Sequence, residues 1–223
     1  LKSIKLGEGL TSIPKKAFLS CRAMTDVILS KTVESIGESA FSNCKALTKI
    51  TLNEGLKTIG QEALYMTHIS TLHLPSTFED MGGSYMGDVF EVAGKSPADT
   101  AMKTITVSDD NPLYSSHDGI LYNKNANEVV FCPRGVTSAK VLDGVTEIGD
   151  MAFFMCFELE SVKLPDTLKV VGKGAFQYDE ALTECELPKG LETVKDSAFF
   201  GAENWTGVDR IPSTVKTIGA YGF

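Results

Sequence analysis

The segment from Leu159 to Trp205 reads LESVKLPDTLKVVGKGAFQYDEA and then LTECELPKGLETVKDSAFFGAEN, and the second line is the first displaced by 23 residues. Leu159 maps onto Leu182, Leu164-Pro165 onto Leu187-Pro188, Val171 onto Val194, and Ala175-Phe176 onto Ala198-Phe199. A fixed period of this length calls for stacked units. One unit cannot bury its own apolar face, so each must lean on its neighbours and the core becomes a continuous column.

With Leu159 as position zero, apolar residues fall at +3, +5, +9, +12, +16, +17 and often +20. The same marks open at Leu1, Met24, Leu47 and, one residue early, at Ile69; they return at Val136, Leu159, Leu182 and Trp205. A further strand at Ile105–Val107 brings the expected count to nine turns. The reading is one domain, 1–223, with regular repeats over 1–82 and 136–223 and an irregular region over 83–135. Within that region, Gly83–Ala101 exceeds the period by about ten residues. Ile120–Tyr122 and Val129–Phe131 are β-type runs separated by polar, Asn-rich residues, the pattern of a β-hairpin. Asn111-Pro112 and Asp118-Gly119 are turn dipeptides.

Each repeat divides in two. Positions +3 and +5 alternate with polar residues at +2 and +4, the period of a half-buried strand. Proline at +6 (Pro75, Pro165, Pro188) stops that strand. The second half, as in KGAFQYDEAL, spaces its apolar residues by three and four, which predicts a short helix or helical turn. Glycine at +13 supplies either a positive φ or room for close packing. One strand per turn, stacked in register at about 4.8 Å, predicts one parallel sheet, and nine turns predict a rod roughly 40 Å long. Phe18, Phe41, Phe153, Phe176 and Phe199 share position +17 and are expected to stack as an internal ladder.

The pattern L-x-x-I-x-L-P-x-x-L-x-x-I-G-x-x-A-F-x-x-C-x-x-L, seen in Met24–Leu47, Val136–Leu159 and Leu159–Leu182, resembles the BspA-like (Treponema pallidum type) leucine-rich repeat. The inserted Asn111–Lys124 segment resembles a hairpin that recurs in bacterial members of that family. The resemblance implies an α/β solenoid, a right-handed leucine-rich repeat coil, with no catalytic residues. It also implies a secreted or surface-attached protein of gut or oral bacteria or of parasitic protists, some members being similar to adhesins. Departures are Lys195 at the bend-glycine position, Leu64 in place of phenylalanine, and the irregular Gly83–Ala101.

Composition narrows the function classes. Net charge is −8, which disfavours nucleic acid, whose phosphates need a basic face. No apolar run approaches the roughly 18–20 residues of a spanning helix. No signal peptide is visible either. Leu1 already occupies the first position of a repeat, so the chain is expected to derive from a longer precursor. Cys21, Cys44 and Cys156 share the interior position +20, Cys185 lies at +3, and Cys132 sits beside the hairpin. They read as small buried apolar residues; the alternative is a Cys21–Cys44 disulfide between adjacent turns. The thiols at +20 are expected to be inaccessible, with at most Cys132 open to labelling. His68, His73 and His117 form no metal motif. Asp109, Asp110 and Asp118 lack the ligand spacing of a calcium loop, and turn chemistry explains them. Asn204-Trp205-Thr206 is a lone glycosylation sequon. The chain carries no G-x-S-x-G, P-loop or G-x-G-x-x-G.

Positions +2 and +4 are expected to project from a concave sheet face. They include His73, Thr104, Thr106, Lys140, Lys163, Glu184, Glu186, Gly207 and Asp209. That face has no aromatic residues, which disfavours sugar and single-strand binding. Aromatic anchors gather in the irregular region instead, at Tyr85, Phe90, Tyr114 and Tyr122, and loops on a rigid scaffold are where binding residues concentrate. The candidate partner-binding residues are therefore Tyr114, Tyr122, Thr104, Thr106, His73, Lys140 and Lys163. Tyr122 has a second reading, that it seals the hairpin onto the core. The expected function is a non-enzymatic, extracellular or cell-surface adhesion module without cofactor. Its partner would be a protein, such as host extracellular matrix or another cell-surface protein. The alternative is a structural spacer presenting another domain.

Overall fold

Two kinds of short strand alternate with tight turns along this chain, and the backbone N–H groups explain why. The computed structural model describes residues 2–82 and 102–223. They fall into two compact units, Leu1–Leu113 and Tyr114–Phe223.

In the first unit the strands are β1 (Ser3–Lys5), β2 (Ser12–Ile13), β3 (Asp26–Ile28), β4 (Ser35–Ile36), β5 (Lys49–Thr51), β6 (Thr58–Ile59), β7 (Thr71–Leu74), β8 (Asp80–Met81) and β9 (Thr104–Val107). The longer strands occupy positions +2 to +4, and the two-residue strands sit at +11 and +12. They stack separately, giving parallel sheets β1-β3-β5, β2-β4-β6-β8 and β7-β9. Residues one period apart pair in register, Val27 with Ile50 and Ile36 with Ile59. The expectation of a single sheet is therefore corrected: each turn contributes to two.

The second unit opens on an antiparallel meander of β10 (Tyr114–His117), β11 (Ile120–Asn123) and β12 (Glu128–Phe131). The expected hairpin is its second and third strands, and β10 is an addition. Asp118 and Gly119 join β10 to β11 with φ of 50° and 79°. Two positive φ values in a two-residue loop match the twist of the flanking strands, which is why Asp-Gly stands there. The later strands are β13 (Ser138–Lys140), β14 (Glu147–Ile148), β15 (Ser161–Lys163), β16 (Val170–Val171), β17 (Glu184–Cys185), β18 (Thr193–Val194) and β19 (Thr217–Ile218). β12 pairs with β14 and extends the short-strand sheet to β10-β11-β12-β14-β16-β18-β19, beside the sheet β13-β15-β17. Among the described residues, eight turns carry a short parallel strand of their own, β2, β4, β6, β8, β14, β16, β18 and β19. The ninth expected turn, at Ile105, instead leaves β9 for the meander.

The helix expected in the second half of each repeat does not form; among the described residues that half is a run of turns. Two residues per turn, at +15 and +19, have left-handed backbone: Lys16 and Ser20, Ser39 and Asn43, Glu62 and Met66, Met151 and Met155. A right-handed helix excludes such residues. They turn alternate N–H groups outward along the stack. Lys16, Phe18 and Ser20 donate to the carbonyls of Glu38, Ala40 and Ser42 in the next turn at 2.9, 2.8 and 2.8 Å. Ala17, Leu19 and Cys21 donate back within their own turn to Pro14, Lys16 and Phe18. Met151, Phe153 and Met155 repeat the pattern onto Lys173, Ala175 and Gln177. A helix would aim its N–H groups along its own axis, towards its own carbonyls, rather than across to the next turn. Spacing by three and four thus marks the inward side chains of stacked turns here. The fold is a β-solenoid rather than α/β.

The core follows the assigned positions. Phe18 stacks on Phe41 at 5.2 Å, and Leu64 takes the next rung. In the second unit Phe153, Phe176 and Phe199 stack at 4.8 and 5.0 Å, and the column closes on Trp205 and Phe223. Glycine at +13 provides space rather than a positive φ: a Cβ on Gly172 would lie 2.6 Å from the Ile148 carbonyl oxygen of the preceding turn. Lys195, at the same position one turn on, sends its side chain back past the Gly172 turn. Its Nζ meets Glu147 Oε1 at 3.0 Å and Asp150 Oδ1 at 3.3 Å.

Candidate functional site

The sequence-assigned candidates separate into two groups. In the first unit β7 and β9 pair Thr71 with Thr104 and His73 with Thr106. His73 Nδ1 lies 2.9 Å from Thr106 Oγ1, so the imidazole and the hydroxyl form one polar spot on the strand face. Tyr114, on β10 in the second unit, is half-buried opposite Asn123. Tyr122 is 0% exposed within the core cluster, with the His117 ring edge-on at 5.9 Å. Burial pushes its phenol up to about 12. Tyr122 is thus corrected from a partner anchor to a residue that seals the meander onto the core. Tyr85 and Phe90 lie outside the described residues.

The other two candidates, Lys140 and Lys163, stand side by side on β13 and β15. Parallel strands lie about 4.8 Å apart, so the two ammonium groups share one patch of surface. Ser138 and Ser161 pair in the same register two residues earlier. On the next strand, Glu184 is in register with Ser161, and Glu186 follows two residues on. The outward face of this sheet floors a groove of about 1120 Å³, whose lining includes Ser161, Lys163, Glu184, Glu186, Trp205 and Arg210.

Trp205 decides the shape of that groove. A fourth strand was expected beyond β17, with Gly207 and Asp209 on the sheet face. Gly207–Arg210 is instead a 3-10 segment. The Trp205 indole N–H donates to the Cys185 carbonyl at 2.9 Å, capping β17 where another strand would pair. A Cβ on Gly207 would lie 2.2 Å from the Trp205 ring, so only glycine lets the chain pass so close. The sheet therefore ends at β17, and the indole and the 3-10 segment wall the groove.

Sequence reasoning missed three features of the second unit. Phe154, Tyr178, Phe200 and Tyr221 form a row of rings 5.6 to 6.2 Å apart, running out to a Tyr221 that is 72% exposed. The recurrence of Phe154, Tyr178 and Phe200 one or two residues after the +17 phenylalanine is the signal that could have shown it. Arg134 is buried, with Nε donating to the Phe154 carbonyl at 3.2 Å and Cζ 5.8 Å over the Phe154 ring. Asp179 is fully buried at the position where neighbouring turns carry cysteine and alanine; no isolated motif marked either residue.

All five cysteines carry free thiols. Cys21 is half-buried while Cys132 is buried, the reverse of the expected accessibility. Among the described residues no three His, Cys, Asp or Glu side chains gather where they could hold a metal ion. No helix of the described residues is long and apolar enough to cross a membrane.

The fold is shared with solved bacterial proteins. The pneumococcal vaccine antigen PcpA is 25% identical with a TM-score of 0.72, over 98% of this chain and 58% of that one. A leucine-rich cell surface protein from Faecalibacterium prausnitzii is 22% identical with a TM-score of 0.60, over 98% of this chain and 69% of that one. A leucine-rich repeat protein from Bacteroides ovatus is 20% identical with a TM-score of 0.62, over 100% of this chain and 58% of that one. The chain thus spans 58% of the length of the pneumococcal and Bacteroides proteins. No curated protein matches it in sequence. The comparisons indicate no catalytic family. The BspA type leucine-rich repeat region matches in six copies over residues 1–88 and 124–223, and the chain belongs to that family.

Proposed function

We propose that this chain is a non-enzymatic protein-binding module of a bacterial cell-surface or secreted protein, and that it acts in adhesion. The observation that carries the reading is the groove over β13-β15-β17, open to a partner and rimmed by Lys163, Glu184, Glu186 and Arg210. Its floor is a stacked sheet whose backbone is fixed by in-register pairing, so binding residues stand on a rigid base. Support also comes from the kinship of fold with proteins described as a vaccine antigen and a cell surface protein. Lys163 is the contact assigned to this groove, with Lys140 beside it at the groove's edge. His73, Thr104 and Thr106 form a separate polar contact in the first unit, and Tyr114 a further one at the start of the second.

The test is a binding screen of the purified chain against immobilised host matrix and cell-surface proteins, alongside Ser161→Arg, which fills the groove floor. Saturable binding that the folded variant loses supports the reading. Absence of saturable binding to every protein in the screen overturns it.

A further inference from the structure

Lys140 and Lys163 are directly opposite on parallel strands, and both are exposed. Among the described residues neither has a carboxylate within ion-pair distance. Like charges placed opposite each other on a sheet destabilise it. With Ser138 and Ser161 beside them, the four side chains form a patch of two ammonium groups and two hydroxyls, rich in donors and cationic. The next strand reverses the sign, because Glu184 and Glu186 project from the same face. Lys163, Glu184 and Glu186 therefore line one groove of mixed charge together with Asp166, Lys189 and Arg210, and Lys140 stands beside Lys163 at its edge, about one strand spacing away.

This division of charge selects among ligands. A polymer of uniform negative charge, such as a sulfated glycan or a nucleic acid, would gain at the lysines and be repelled by the two glutamates and by a chain of net charge −8. A polypeptide can change sign from one residue to the next. Resting on the protein-binding reading above, we propose that this groove recognises a mixed-charge segment of a partner protein. Its paired carboxylates meet Lys140 and Lys163, and adjacent basic side chains meet Glu184 and Glu186.

The experiment measures fluorescence anisotropy of three labelled twelve-residue peptides on the full chain at low ionic strength. One carries a Glu-Glu block followed by a Lys-Lys block, one only glutamate as its charged residue, and one only lysine. The mixed peptide is expected to bind tightest. Its affinity should fall at least ten-fold in Lys140→Gln/Lys163→Gln and persist in Lys140→Arg/Lys163→Arg. The Gln variant should melt no lower than the parent, since it removes a repulsion. Equal binding by parent and Gln variant, equal loss in the Arg variant, or a preference for the all-glutamate peptide overturns the proposal. A chain that captures a matrix protein through the groove, as judged by Ser161→Arg, yet ignores the mixed peptide overturns this inference alone and leaves the protein-binding reading standing.

Discussion

Asp179 accepts the backbone N–H of Cys156, one turn earlier, through Oδ1 at 2.8 Å, and both residues are fully enclosed. Among the described residues its other oxygen, Oδ2, has no hydrogen-bond partner. A lone carboxylate in such a place is costly to ionise. Burial first, then Cys156, pushes its carboxyl well above the usual carboxylate range, and Arg134 acts against them. Cys185 also couples to it electrostatically. A carboxyl raised on folding contributes stability that is complete below the unfolded-state value of about 3.9 and is lost as pH rises towards the folded value. The second unit is therefore expected to melt at higher temperature in mild acid than at neutral pH. Glu128, raised by burial and by Glu147, adds in the same direction, so the comparison must be made against a variant. Asp179→Asn should flatten the pH dependence and match or exceed the parent near neutrality. A series of thermal melts between acid and neutral pH decides it; parallel curves for the two chains would remove Asp179 as the cause.

Phe176 is held between Phe153 and Phe199 with no exposed surface. Phe176→Ala is expected to cost about 3–5 kcal/mol, since the rings on either side cannot collapse into the gap without breaking register. Phe18→Ala should cost less, because the Phe18 ring is half-buried and, among the described residues, stacks on Phe41 alone. Equilibrium denaturation of the two variants checks both the size and the order.

Native-state thiol labelling should modify Cys21 and leave Cys44, Cys132, Cys156 and Cys185 untouched. The four are buried. Burial also pushes the Cys44 thiol up to about 11 and the Cys185 thiol up to about 12, so their reactive thiolate is scarce as well as hidden. Mass spectrometry after a short pulse of alkylating reagent would reveal this, and a pulse that modified Cys132 before Cys21 would contradict the burial.

Asn111 ties the chain after β9 back to the preceding turn. It is fully buried, its Nδ2 donates to the Pro75 and Phe78 carbonyls at 3.1 and 2.9 Å, and its Oδ1 accepts the Leu113 N–H at 2.9 Å. Asn111→Ala leaves buried backbone groups without these partners, which costs about 1–3 kcal/mol. The loss should appear as a lower melting temperature, and Asn111→Asp, which keeps the acceptor but loses the donor, should not restore it.

The amino-acid pattern by itself determined the 23-residue register, the inward positions and the presence of a hairpin, to which the fold added β10. These depend on which side chains must leave water, and a periodic sequence repeats that requirement visibly. Lys140 and Lys163 were legible as neighbours for the same reason, because residues one period apart pair in register. Other outcomes depended on partners that a single repeat does not contain. Spacing by three and four suits both a helix and a stacked turn, and the choice fell to the N–H groups of Lys16, Phe18 and Ser20, which bond the next turn. The strand expected at Gly207 became a 3-10 segment because the Trp205 indole had taken the Cys185 carbonyl. Tyr122 turned inward because the meander needed an apolar cover, and Asp179 and Arg134 became buried when the turns stacked. Apolar periodicity is written along the chain, but the pairing of polar groups between turns exists only after the turns have stacked.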